Sequence, residues 1–114
     1  MSKTIRLPNE VGEGKDREVE VLLADQARKL VLIRLRGGAL LADHSARVPI
    51  VIQAVAGRGT LRVENEAYPL VPGVVVPVDA HVVHNVQGDP ALAILVTFFR
   101  GSGMRNQEET SARF

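Results

Sequence analysis

The chain has 114 residues, 46% of them hydrophobic and 24% charged, with no cysteine and a formal net charge of +1. That length supports one domain whose single core needs neither disulfides nor a metal to close it. The balanced charge, with no long single-sign run, points away from nucleic-acid and membrane partners. The missing cysteines exclude disulfides, thiolate nucleophiles and cysteine-type structural zinc, and they fit a reducing cytoplasm.

At the N-terminus, MSKTIRLPNEVGEG lacks the apolar core of roughly 7–15 residues that a signal peptide carries. Frequent turn residues then separate short runs, the pattern of an all-β protein. EVEVLLA (18–24) alternates and then turns apolar, and LLADQARKL carries the chain's one weak helical spacing. KLVLIRLR (29–36) sets Leu30, Leu32 and the aliphatic part of Arg34 opposite Val31, Ile33 and Leu35, and Gly37-Gly38 breaks it. VPIVIQAVAG (48–57) and TLRVE (60–64) read as two strands around Arg58-Gly59, with Glu64-Asn65-Glu66 as a hairpin tip. AYPLV leads into the turn pair Pro72-Gly73, and GVVVPV, HVVHNV and ALAILVTFF follow, the last after Gln87-Gly88-Asp89-Pro90. The polar stretch 101–114 reads as a frayed end or a short outer helix. The pattern predicts one domain over 1–114, with eight or nine strands in a barrel core spanning about 18–100, closed as a sandwich or barrel.

The apolar run at 91–99 is far shorter than the roughly 20 residues a membrane-spanning helix needs. A soluble, cytoplasmic protein is expected. Because strands buried on both faces read as continuous apolar runs, ALAILVTFF predicts a homodimer in which a second subunit covers one face of the barrel.

The glycine and histidine spacing resembles the cupins, small double-stranded β-helix barrels of the jelly-roll kind. The first cupin motif is Gly, five residues, His-x-His, three or four residues, Glu, six residues, Gly. Here Gly38 is followed by ALLAD, His44-Ser45-Ala46, RVP, Ile50, VIQAVA and Gly57, so the spacing holds while Ala46 and Ile50 replace the second His and the Glu. The second motif is Gly, five residues, Pro-x-Gly, two residues, His, three residues, Asn. Gly73 reaches Pro77 after only three residues, Asp79 stands at the corner Gly, and His81 keeps the family gap to Asn85. The likeness covers residues 30–99.

In metal-binding cupins the two histidines and the Glu of the first motif and the His of the second hold one metal inside the barrel. The resemblance implies His44 and His81 as retained ligands, with His84, Asp43 and Gln53 as candidates for a third, each of which needs a bulge to turn inward. A divalent Mn, Fe, Ni, Zn or Cu would suit such a set. The resemblance, through the kept gap to Asn85, implies that His81 faces inward across the cavity from His44. Unbulged alternation then puts Val83 and Asn85 on its face and His84 on the outside, while the shortened stretch before Pro77 leaves room for His84 to take the family position instead.

Three readings follow. With Ala46 and Ile50 in place of ligands, His44, Ala46, Ile50 and His81 would line a mostly apolar pocket for a small molecule carrying one or two hydrogen-bonding groups. The alternative is a metal-dependent oxygenase or isomerase of the cupin type using His44, His81 and His84. In the blandest reading the imidazoles bond backbone or water, and side chains fill the barrel. There is no P-loop, no GxSxG and no dinucleotide fingerprint. Arg34, Arg47, Tyr68 and the Glu64–Glu66 pair read as strand-face or turn residues.

Overall fold

The alternating and β-branched runs become seven strands in a computed structural model that describes residues 4–101. They are β1 (Arg17–Ala24), β2 (Arg28–Leu35), β3 (Leu40–His44), β4 (Ile50–Val63), β5 (Glu66–Leu70), β6 (Val75–Val78) and β7 (His84–Phe99). All pairings are antiparallel. Among the described residues there is no helix, and hence none long and apolar enough to cross a membrane.

Two strands organise the rest. β7 pairs with β2 through Leu92–Phe99 and with β3 through its first residues, while β4 runs beside it along nearly its whole length. β4 in turn pairs with β6 through Ile50–Gln53 and with β5 through Gly59–Val63. Each long strand therefore serves both halves of the barrel. One half is β1-β2-β7-β4-β6 and the other is β3-β7-β4-β5.

The strand count is lower than the sequence pattern predicts because two pairs of runs fuse. Residues 48–57 and 60–64 form one strand through Arg58-Gly59, and HVVHNV joins ALAILVTFF through Gly88 and a cis Asp89-Pro90 bond. Bulges explain how glycines sit inside a strand without ending it. The β4–β7 register shifts between Ala54 and Ala56 and again between Gly57 and Gly59. At these shifts the backbones approach so closely that a Cβ on Gly59 would lie 2.2 Å from the Gln87 carbonyl oxygen, and one on Gly57 2.2 Å from that of Ala91.

The weak helical spacing at 22–30 is instead the end of β1, a short turn at 25–27 and the start of β2. Asp25 Oδ1 accepts hydrogen bonds from the backbone N–H groups of Ala27 (3.0 Å) and Arg28 (2.9 Å), and this local bonding competes with a helix. β3 lies in a stretch whose alternation does not mark it. The expected polar tail lies outside the described residues except for Gly101.

Inside, Val31, Ile33 and Leu35 of β2, Ile50, Ile52 and Leu61 of β4 and Val86, Leu92, Ile94, Val96 and Phe98 of β7 form one core cluster. Leu32, Ala56 and Ala93 are also buried but stand outside that cluster. Arg36 donates hydrogen bonds to the carbonyls of Val11, Gly12 and Lys15 and pairs with Glu18, pinning the segment ahead of β1. Val11 then reaches the Gly57 bulge.

Replacing Gly59 by Ala should destabilise the protein by about 1–3 kcal/mol, because the added methyl meets backbone rather than a movable side chain. Denaturant unfolding of the variant measures this. An unchanged midpoint would mean that the two long strands are not so closely apposed.

Candidate functional site

Histidine placement follows from where the strands end. His44 closes β3, His84 opens β7, and the two residues are register partners. Their rings meet edge to face, with centroids 4.3 Å apart and planes at 61°. His84 is 1% exposed and shares the inward face with Val86, beside Val63 of β4 in the neighbouring register position. His44 is half-buried.

The two rings are oriented in the same way. His44 Nδ1–H donates to the Ala42 carbonyl at 2.7 Å, and His84 Nδ1–H donates to the Val82 carbonyl at 3.0 Å. A carbonyl only accepts, so these bonds select the Nδ1–H tautomer and leave each Nε2 as the acceptor of a neutral ring. Both Nε2 atoms are buried. Burial is the main reason that both imidazoles titrate below the usual histidine value, with the hydrogen bond to the Ala42 or Val82 carbonyl opposing it. The pair is therefore neutral around pH 7.

His81 is elsewhere. It is exposed, with a positive φ of 69°, in the turn that precedes β7, and its backbone N–H donates to the Ala46 carbonyl at 2.7 Å. The expectation that His81 faces His44 inside the barrel, with His84 outside, is corrected on this point. That expectation rests on the family gap to Asn85 carried back along an unbulged strand, and strand parity does not extend to a turn residue in the left-handed region. Val83 is 49% exposed, and Asn85 points outward, where its Nδ2 donates to Asp43 Oδ1 at 2.7 Å. Inward parity begins at His84.

The other candidate positions divide cleanly. Ala46 and Ile50 are buried in the core cluster, as filling side chains would be. Asp43 is held on the outer face by Asn85. Gln53 follows the core residue Ile52 in an unshifted stretch and keeps the outer side. The interior thus offers two imidazole donors where a metal-binding cupin offers four ligands. Among the described residues, no group of three or more His, Cys, Asp or Glu side chains is placed to hold a metal ion. Two neutral imidazoles among hydrocarbon side chains do not fit a resident metal that the protein alone would hold.

The sequence gives no sign of a second feature. A cavity of about 400 Å³ opens on the outside of the sheet, away from the histidine pair, lined by Gly37, Gly38, Thr60, Arg62, Gln87, Gly88, Asp89 and Pro90. Arg62 lies in the run TLRVE and Gln87 in the break before ALAILVTFF, and only the pairing of β4 with β7 brings them together.

No family model matches the sequence, and no curated protein does. Solved structures are similar in fold. A cupin superfamily protein from Desulfitobacterium hafniense superposes with a TM-score of 0.75 at 16% identity, covering 87% of this chain and 94% of that one. An RmlC-like cupin from Desulfovibrio desulfuricans gives 0.71 at 18% identity over 85% and 98%. The DMSP lyase DddQ from Ruegeria pomeroyi gives 0.70 at 14% identity, over 79% of this chain and 50% of the lyase. The chain has the cupin fold.

The buried pair makes a pH prediction. With the folded-state values below the ordinary one of about 6.5, the unfolded chain takes up protons first as pH falls. The pair's contribution is complete above that pH and is lost as pH drops toward the folded-state values. The melting temperature should fall as pH drops from neutral through the ordinary histidine range, and His84→Gln should flatten that slope. An equally steep slope in the variant would contradict the assignment.

Proposed function

We propose that this protein is a small-molecule-binding cupin whose ligand meets the His44–His84 pair at one end of an apolar barrel. The observation that carries the reading is the pair itself. Two neutral rings lie 4.3 Å apart, each held by its own Nδ1–H, with buried Nε2 atoms that accept hydrogen bonds. Such a site favours a small, mostly apolar molecule that donates one or two hydrogen bonds, since a charged group would lose its hydration without a counter-charge. A sensor or accessory role suits it better than catalysis. The enzyme reading needs a divalent metal, and two imidazoles supply fewer donors than a catalytic metal site usually draws from its protein.

Metal analysis and native mass spectrometry on untagged protein test this reading. We expect little bound metal, a melting temperature unmoved by EDTA, and a copurifying organic molecule that His84→Gln releases. One metal per chain, with a melting temperature that falls on chelation, would overturn the reading in favour of the enzyme.

We also propose that the protein works as a homodimer through the β1 edge. Val19 and Val21 lie on the same side of the sheet as Ile33 and Val31, yet they are 41% and 56% exposed. Among the described residues β1 pairs with β2 alone, so an apolar edge strand stands open. Such edges are normally shielded or paired. Light scattering at micromolar concentration should give twice the 12.3 kDa chain mass. Val21→Glu should halve it, and a monomeric mass for the unaltered protein would refute the dimer.

A further inference from the structure

The outer cavity gathers the sheet's polar residues around one arginine. Thr60 and Arg62 stand on the outer face of β4, in register with Gln87 and Asn85 of β7. Gly37-Gly38 on one side and Gly88-Asp89-Pro90 on the other enclose a space of about 400 Å³. Gln87 Nε2 donates to the Gly38 carbonyl at 3.3 Å, which ties the β7 face of the cavity to the glycine turn.

Arg62 is placed differently from the paired arginines of this chain. Arg28, Arg34 and Arg36 each pair with a carboxylate. Among the described residues Arg62 makes no ion pair. Its guanidinium reaches only two amide oxygens, Asn85 Oδ1 at 3.4 Å and Gln87 Oε1 at 3.5 Å, both at the long limit of a hydrogen bond. Asp43, the nearest acid in that row, is engaged by the far side of Asn85 at 2.7 Å. A guanidinium is a rigid fork that binds carboxylates in bidentate fashion at shorter distances than these.

We propose that this cleft is a binding subsite for a small hydroxycarboxylate. The ligand carboxylate takes Arg62, and its hydroxyl groups take the Thr60 hydroxyl, the Gln87 amide and the Asp89 carboxylate. Asp89 also sets the charge. Its own negative charge in the wall admits a monoanion with donor hydroxyls and disfavours a phosphate or polycarboxylate. The site is separate from the histidine pair, which lies on the opposite face of the same strands, and the inference stands whether or not the barrel interior binds anything.

The test is an amide-resolved NMR titration of the full-length protein with glycerate, with glycerol as the uncharged control. Arg62 is exposed, so Arg62→Gln removes the charge without touching the core. Glycerate should produce saturable shifts at Thr60, Arg62, Gln87 and Gly38, with a Kd on the order of 1 mM. Arg62→Gln should abolish them, Arg62→Lys should weaken binding several-fold, and glycerol should cause none. Shifts that do not saturate, that persist in Arg62→Gln, that glycerol reproduces, or that centre on His44 and His84 would overturn the proposal.

Discussion

The pairing of β4 with β7 is the constraint on which the rest depends. The two strands run side by side from Ile50–Phe98 at one end to Val63–His84 at the other, interrupted by two register shifts. A strand of regular pleat cannot serve two halves of a small barrel, because closure demands bending, and bulges supply it locally. Here the cost is a pair of positions, Gly57 and Gly59, where no side chain fits. The remaining strands each pair along one of these two, β2 and β3 with β7 and β5 and β6 with β4, apart from β1, which pairs with β2.

The same pairing fixes what each face presents. At the β3 end, His44, His84 and Val63 form an inward row across three strands, and the next residues, Asp43, Asn85 and Arg62, form an outward row. The inner row is neutral because burial outweighs the opposing hydrogen bonds to two backbone carbonyls, which instead fix the orientation of the rings. The outer row is charged and solvated. One residue step therefore separates an apolar interior from a polar cleft, which is the alternation of a pleated sheet turned to two kinds of chemistry.

Much of this was legible in the sequence. The alternation of KLVLIRLR gave β2 its inward Val31, Ile33 and Leu35, and the motif spacing from Gly38 to Gly57 placed His44, Ala46 and Ile50. The second motif misleads, because its kept gap to Asn85 points to His81 as the inward residue. In the fold the shortened approach from Gly73 is absorbed by a turn in which His81 takes a left-handed backbone, and β7 starts three residues later. No local propensity announces that a histidine will occupy a position better suited to glycine or asparagine. The outer cleft was invisible for another reason. Arg62 and Gln87 are 25 residues apart in the chain, and only the β4–β7 register makes them neighbours.

His84, and not His81, shares the barrel interior with His44. Imidazole NMR on protein labelled at its histidines tests it most directly, through nuclear Overhauser contacts between ring protons and the tautomer read from ring nitrogen shifts. The structure predicts strong contacts between the rings of His44 and His84, both in the Nδ1–H form, and none from either ring to His81. Contacts between His44 and His81, with His84 in solvent, would contradict it.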